Sequence, residues 1–376
     1  MFLENLNIKY MRRIIGIIML LLLPTAGALA KIDYEKKILG TDSNISYTGR
    51  TERTADGTVR YDWVGTYFQT DFTGGSVAVS ISDTGTSFHN LFIDGKLIKK
   101  IKVNGKEPRN VVLADGLGKG IHRLCLQKCT EGEYGCTTIY GFSLAKGGTL
   151  KAVAPKERMI EVIGDSYTCG FGTESNNAND RFQLETENCN KAYGCIIARY
   201  FNADYALIAH SGQGLIKDWG DTVQVSAQNM STRYMQVYDN YNRKTYDFKA
   251  YRPQLVIINL GTNDFASGAI PTAEQYVGAY LKLIDTVKLH YGDIPVFCII
   301  PHSAGLYLTA CLRQLKEKTA AHNHIYVASP MPDIITQDYD LGAAWHPNYQ
   351  GQRKIAMTLI PQISAIMGWQ LNSYDL

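Results

Sequence analysis

The sequence predicts an α/β chain in two parts: an N-terminal β-sandwich of jelly-roll type, then an α/β/α domain on a five-stranded parallel sheet. Three observations carry this. The 376 residues exceed the roughly 250–300 at which a single core usually stops growing. Residues 31–147 show strand periodicity and turn signals, with no long apolar period of 3.6. After a Gly/Lys/Pro-rich break at residues 145–155, apolar runs alternate with amphipathic stretches in a β-α-β rhythm. With 45% hydrophobic and 19% charged residues, 34 Gly and 11 Pro, disordered, collagen-like and coiled-coil readings are excluded.

Taken in order, the first element is a leader. Arg12 and Arg13 precede an apolar run at residues 14–23, followed by Pro24 and Ala28-Leu29-Ala30. This is the pattern of a signal peptide over residues 1–30, with Met11 as a second possible start. The run is too short to span about 30 Å of hydrocarbon. The mature chain is therefore expected to begin near Lys31, in the periplasm or outside the cell, without membrane insertion. Of the net charge of +3, the leader holds +2 through Lys9, Arg12 and Arg13 against Glu4. A body near +1 offers no electrostatic footprint for nucleic acid or an anionic membrane.

An oxidising compartment changes how the eight cysteines read. Cys125, Cys129, Cys136, Cys169, Cys189, Cys195, Cys298 and Cys311 are expected to form disulfides, up to four, apart from a buried thiol such as Cys298 in PVFCII. No CxxC pair or His spacing points to zinc, so no metal is expected.

Residues 31–150 form the expected sandwich. Val77, Val79 and Ile81 alternate with Ala78, Ser80 and Ser82, the period of a half-buried strand. Asp94-Gly95 and Asn104-Gly105 between apolar runs read as hairpin turns, because both turn positions need φ > 0. Residues 151–376 form the expected second domain. Its strands are read at residues 159–163, 203–209, 255–260, 295–300 and 325–328, and its helices at 191–201, 272–290, 308–322 and 349–367. Near-continuous apolar strands between amphipathic helices imply a parallel sheet covered on both faces. Ligands of such sheets bind beyond the carboxyl ends of the strands.

Those strand ends carry the chemistry. Gly164-Asp165-Ser166 follows the first strand, Ser211-Gly212-Gln213-Gly214 the second and Gly261-Thr262-Asn263-Asp264 the third. Trp345-His346-Pro347-Asn348 stands before the last helix. Together they are the parts of an acyl-transfer site: Ser166 as nucleophile and His346 as general base. The N–H groups of Ser166 and Gly212 and the side-chain amide of Asn263 are candidates for an oxyanion hole. Gly alone is weak evidence for a site, and a lone His or a Gly-Thr-Asn-Asp turn is commonplace. The ordered set of four is not.

The blocks VIGDS, HSGQG, GTND and WHPN resemble the SGNH (GDSL-type) hydrolase superfamily. With an N-terminal sandwich carrying GRTERTADGTVRYDWVGTYFQTDF, the chain resembles carbohydrate esterase family 2. The resemblance implies a secreted serine esterase that removes O-acetyl groups from plant polysaccharides or oligosaccharides such as xylan and mannan, with no metal or organic cofactor. By block matching, Ser166, Gly212, Asn263 and His346 inherit the roles already argued, with Gly214 a rival to Gly212. One departure matters: many superfamily members carry an Asp three residues before the histidine, where this chain has Ala343. A Ser–His dyad with a backbone carbonyl on the imidazole is the expected arrangement, with Asp338 or Asp340 as substitutes to be tested.

Other residues read less sharply. Asp165 and Asp264 suit turn-holding, His210 packing behind the oxyanion loop, and His302 a surface or core role. Trp345 beside the base and Trp219 in the polar, Tyr-rich stretch 215–251 are candidate sugar-binding residues. The same stretch offers Tyr234 and Tyr238 as core residues of a helix over 230–238. Two alternative functions fit the motifs: a lipase or thioesterase on the same scaffold, or a non-catalytic glycan-binding protein.

Overall fold

The computed structural model describes residues 34–371, so the leader expected over residues 1–30 lies outside them. The first half consists of two antiparallel six-stranded sheets. One runs β3 (Glu52–Arg53), β4 (Val59–Tyr61), β11 (Thr137–Ala145), β6 (Val77–Asp83) and β9 (Arg109–Ala114), with β1 (Tyr34–Leu39) also on β11. The other runs β12 (Leu150–Lys151), β5 (Tyr67–Phe72), β10 (His122–Lys128), β7 (Thr86–Ile93) and β8 (Lys96–Asn104), with β2 (Ser46–Thr48) also on β5. Val79, Ile81 and Phe142 from the first sheet and Phe68, Leu91 and Leu124 from the second fill one apolar core. Phe68 and Phe142 meet edge-to-face across it at 5.1 Å.

Asp94-Gly95 makes the expected two-residue hairpin between β7 and β8, with φ of 51° and 77°. Asn104-Gly105 does not make a hairpin. β8 pairs with β7 while β9 pairs with β6, so the chain crosses between sheets at this point. Gly105 has the turn's positive φ, 86°, but its N–H donates to the Gly85 carbonyl and its own carbonyl accepts from Asp83. The dipeptide sets a local bend, whereas the partner strand is chosen by long-range packing.

The second half is a parallel sheet in the order β14 (Ala203–Ala209), β13 (Arg158–Gly164), β15 (Leu255–Asn259), β16 (Val296–Cys298), β17 (Ile325–Val327). In register, Ile163 lies between Ile208 and Ile258. Helices α1 (Ser166–Cys169), α2 (Tyr193–Tyr200) and α3 (Met230–Arg233) precede the long α4 (Ala273–Tyr291) and α5 (Leu306–Thr319); α6 (Gln337–Asp340) and α7 (Tyr349–Met367) complete the set. Alternate strand residues point to opposite faces, and so two cores form. One holds Val256, Ile258 and Val296 against α4 and α5. The other holds Ile160, Val162 and Ile257 against α2 and α7. The helix α4 begins with a reciprocal Thr272–Gln275 capping box, which fixes its start to within a residue of the sequence expectation.

The sandwich is fused to both of these cores. Trp63 and Cys136 join the first, and Val64, Phe88 and Cys129 join the second. The Gly/Lys/Pro stretch is likewise no free tether, since Leu150 pairs with Phe72 of β5.

Two expectations are corrected. All eight cysteines are free thiols, so the expected disulfides do not form. Burial raises the pKa of the thiols, to about 12 for Cys129 and Cys298, except at Cys195, where burial is outweighed by the neighbouring Cys189 thiol and the charge of Arg199. In the Tyr-rich stretch, helix extends only over Met230–Arg233 and not to residue 238, while Tyr234 and Tyr238 are core residues as expected and Tyr246 joins them. Among the described residues no helix is long and apolar enough to cross a membrane.

Candidate active site

The order β14-β13-β15 reverses direction at β13, and the crevice beyond its carboxyl end is where open α/β sheets bind ligands. The sequence-predicted groups converge there. β13 ends at Gly164, and Asp165 caps α1 by accepting the Tyr167 N–H at 3.1 Å. Ser166 is therefore the first residue of a helix, and its N–H is one of the donors that helix geometry leaves without an internal partner. Its Oγ lies 2.9 Å from His346 Nε2.

The histidine is set by its own backbone. His346 Nδ1 lies 2.9 Å from the Ala344 carbonyl oxygen. A carbonyl only accepts, so Nδ1 carries the proton and the Nε2 lone pair faces Ser166. Two consecutive left-handed residues, Ala344 (φ 51°) and Trp345 (φ 62°), turn that carbonyl back onto the ring. Left-handed backbone costs a non-glycine residue about 1–2 kcal/mol. The turn is held by N–H bonds from Ala344 to Asp180 O (2.9 Å) and from Trp345 to Ala178 O (3.2 Å). Burial lowers the pKa of His346, while its backbone acceptors and the charge of Glu131 work the other way.

No carboxylate replaces the missing Asp. Asp338 is exposed, and Asp340 Oδ2 accepts from Lys354 Nζ (2.7 Å) and from the Thr336 N–H (2.7 Å). The arrangement is a dyad.

The oxyanion side is equally ordered. Gly212 has φ 77° and open space where a Cβ would stand, so its backbone is free to approach a ligand. Its N–H has no acceptor among the described residues, whereas that of Gly214 is taken by Asp218 Oδ1 at 3.2 Å. This favours Gly212 over its rival. Asn263 is buried, and its amide donates to the Gln213 carbonyl at 2.8 Å, with a long contact to Asp165 Oδ2 at 3.5 Å. The first bond fixes the group, and the second, at 3.5 Å, is the weaker of the two. Asp264 accepts the N–H groups of Leu215, Ile216 and Lys217 at 2.8–3.0 Å, tying the third strand-end loop to the second. Burial pushes Asp165 up to about 7 and raises Asp264.

Of the other candidates, His210 is buried behind the loop and paired with Asp239 at 2.9 Å. His302 stacks on Tyr167 at 5.2 Å, and burial lowers it to about 4. Tyr167 in turn meets the His346 ring edge-on at 5.5 Å, so His302 stands behind the base rather than at the nucleophile. Trp345 and Trp219 are exposed, at 52% and 67%. The Trp219 N–H donates to the Gly212 carbonyl at 2.8 Å, which brings that tryptophan's backbone to the oxyanion loop.

Sequence reasoning missed an aromatic wall and a buried cluster. Phe171 packs on His346 at 4.4 Å, Phe182 stacks on Phe171 at 3.9 Å, and Tyr134 of the sandwich meets Phe182 at 5.8 Å. None carries a motif. Beneath the loops lie Glu131, Cys169, Glu187, His210 and Asp239, of which two sets (Glu131, Cys169, Glu187 and Glu131, His210, Asp239) have ligand atoms close enough to share an ion. Their signal was the charged segment CTEGEYGC, read only for its cysteines.

This geometry can support acyl transfer, and comparison with known proteins agrees. Residues 47–154 match the carbohydrate esterase 2 N-terminal family, and residues 162–354 the GDSL-like lipase/acylhydrolase family. The cellulase/esterase CelE of Acetivibrio thermocellus is 32% identical over 332 residues, which is 86% of this chain but only 40% of that protein's length. An acetylxylan esterase/glucomannan deacetylase of Cellvibrio japonicus is 28% identical over 321 residues, 82% of this chain and 86% of that one. A family two carbohydrate esterase from Clostridium thermocellum, solved with cellohexaose, aligns with a TM-score of 0.80 at 31% identity, covering 87% of this chain and all of that one. The chain belongs to carbohydrate esterase family 2, with that family's N-terminal domain joined to a GDSL-type hydrolase fold.

Proposed function

We propose that this chain is an exported serine esterase that removes O-acetyl groups from plant polysaccharides or oligosaccharides of the xylan and mannan type. The observation that carries the reading is the Ser166 Oγ–His346 Nε2 contact of 2.9 Å beside the Gly212 N–H, which has no acceptor among the described residues. Ser166 Oγ attacks the acetyl carbonyl carbon as His346 Nε2 takes the hydroxyl proton. The carbonyl oxygen gains negative charge and accepts from the N–H groups of Ser166 and Gly212 and from the Asn263 amide. Each such donor is worth about 10²–10³ in rate. His346 then protonates the departing sugar oxygen, and the acetyl group stays on Ser166. Water, deprotonated by His346, releases acetate. The Ala344 carbonyl holds the ring's tautomer throughout, although a neutral oxygen stabilises the imidazolium less than a carboxylate does.

Two relatives support the choice of substrate: the Cellvibrio enzyme named for acetylxylan and glucomannan, and the Clostridium esterase solved with a cellohexaose chain. The exposed faces of Trp345 and Trp219 suit the C–H surfaces of sugar rings, and the Phe171–Phe182 pair suits a wall behind the acetyl group. Export rests on the leader pattern of residues 1–30.

The test compares wild type with Ser166→Ala on 4-nitrophenyl acetate, acetylated xylan and acetylated glucomannan. Acetate release that depends on Ser166 is expected from the small ester and from at least one polymer. No Ser166-dependent release from any of the three would overturn the reading.

A further inference from the structure

Residues 129–136, between β10 and β11 of the sandwich, pass directly beneath the loops that carry the site. Glu131 is fully buried there. Its Oε2 accepts the Ser211 N–H at 2.7 Å, one residue before the oxyanion donor Gly212. The same oxygen accepts from the Cys169 thiol at 3.5 Å, in the helix that begins at Ser166. One carboxylate of the sandwich therefore grips both the oxyanion loop and the nucleophile helix. The neighbouring Gly132 N–H donates to Asp239 at 3.0 Å, and Asp239 holds His210, the residue before Ser211. No side chain fits at position 132, where a Cβ would lie 2.7 Å from Asp239 Oδ2.

A second buried carboxyl lies beside it. Glu187 Oε2 accepts the Glu131 N–H at 3.4 Å, and the Oε1 atoms of both glutamates have no hydrogen-bond partner. Burial and then the charge of Glu131 raise the pKa of Glu187 far above the usual carboxylate range.

We propose that Glu131 is the positioning residue of the oxyanion hole, supplied by the sandwich. The assignment rests on the esterase reading above, because only an acyl-transfer step uses the Gly212 N–H. It gives the sandwich a role in the reaction without a sandwich residue touching substrate. Without that anchor, the His210–Ser211 peptide, which leads directly into the Gly212 N–H, loses the acceptor that sets its plane. The loss is felt in the transition state, where charge develops on the bound oxygen, and hardly in ground-state binding.

The experiment uses the full chain and 4-nitrophenyl acetate, with Glu131→Gln and Glu187→Gln compared with wild type. Glu131→Gln is expected to lower kcat by about 10²-fold, with KM within threefold, as for the loss of one oxyanion donor. Its affinity for a boronic acid that forms a tetrahedral adduct on Ser166 should fall in parallel. Glu187→Gln, which alters a carboxyl bonded to neither Ser211 nor Cys169, should keep kcat within threefold. Hydrogen exchange over residues 209–214 should quicken in Glu131→Gln at an unchanged melting temperature, a readout that needs no catalysis. Unchanged exchange together with unchanged kcat would overturn the proposal, and so would equal losses in the two variants. Exchange that quickens in a wild type with no esterase activity would instead sink the functional reading and leave the anchor standing.

Discussion

The sandwich meets the α/β layer through two buried polar clusters built in opposite ways. At the first, Arg50 lies 3.7 Å from Glu161, in the middle of strand β13. The guanidinium donates to the carbonyls of Tyr234 and Gln236 and is faced by the rings of Trp63, Tyr234, Tyr246 and Phe248 at 4.2–5.8 Å. Glu161 takes the hydroxyls of Tyr234, Tyr251 and Tyr291. One cation meets one carboxylate, and each is wrapped by groups of complementary polarity. At the second, beyond the carboxyl end of the same strand, carboxyls outnumber cations and the glutamates keep oxygens without partners. Pairing is incomplete in both clusters, since Arg50 Nε and Nη2 make no hydrogen bond; what differs is the balance of charge. An excess of carboxyls under the catalytic loops is the kind of perturbed ionisable cluster that concentrates where function is.

If the first cluster is a clamp and nothing more, Arg50→Met should be the most costly change. It strands Glu161 in a dry interior, and breaking a buried pair from one side costs about 3–5 kcal/mol. Urea denaturation should register that loss while kcat per titratable Ser166 stays at the wild-type value. A large fall in kcat with stability intact would break the contrast between the clusters.

The second cluster makes a different prediction, in pH. Burial opposes the charge on His210, but Asp239 and then Glu131 outweigh it and raise the pKa to about 9. The unfolded value is about 6.5. A raised histidine pKa stabilises the fold fully below pH 6.5, and that stabilisation is lost as pH rises through about 9. The amount is on the order of 3 kcal/mol, with the coupling to Asp239 shared between the two groups. Wild-type stability, followed by urea titration from pH 6 to 9.5, should therefore fall across that window. His210→Gln should be less stable at pH 6 and should lack the slope. A wild type whose stability is level from pH 6 to 9.5 would mean that His210 is neutral.

The contrast also explains what was legible in the sequence. Ser166, Gly212, Asn263 and His346 could be read because each follows a run whose period identifies a buried strand or precedes a capped helix, and strand ends of a parallel sheet converge by topology. The α4 start was legible through Thr272 and Gln275 for the same local reason. Glu131 and Glu187 were not. They come from a sandwich loop and from the irregular stretch between α1 and α2, and nothing in their spacing records that two distant segments meet. Arg50 and the tyrosines around it were half-legible: the Tyr-rich composition was plain, but the buried cation that organises it lies 184 residues from Tyr234. The cysteines misled for a physical reason. Their number is informative only if the thiols are accessible to oxidation, and burial removed that condition.

Between these extremes stands His346, whose proton is handled by backbone alone. Burial lowers its pKa below the free imidazole value of about 6.5. The base must be neutral to accept the Ser166 proton, so a lowered pKa extends activity downward in pH. The acid limb of kcat/KM on 4-nitrophenyl acetate should have its midpoint below pH 6.5. A midpoint above 7 would require a carboxylate close to the ring, and hence a triad.

Asp340 is the carboxylate nearest in sequence that could supply one, and it gives the smallest expected effect. It is buried, but its Oδ2 already takes Lys354, the Thr336 N–H and the Thr336 hydroxyl. These bonds hold α6 to α7; none reaches the imidazole. Asp340→Asn should cost about 1 kcal/mol, because Lys354 stays partly in water and keeps its bond to the Ile334 carbonyl. Its kcat should remain within threefold of wild type and its acid limb should not move. A thousandfold loss of kcat with the fold intact would mean that α6 swings to place Asp340 on His346 during turnover. The site would then be a triad assembled by motion, and the backbone carbonyl of Ala344 would be only its resting partner.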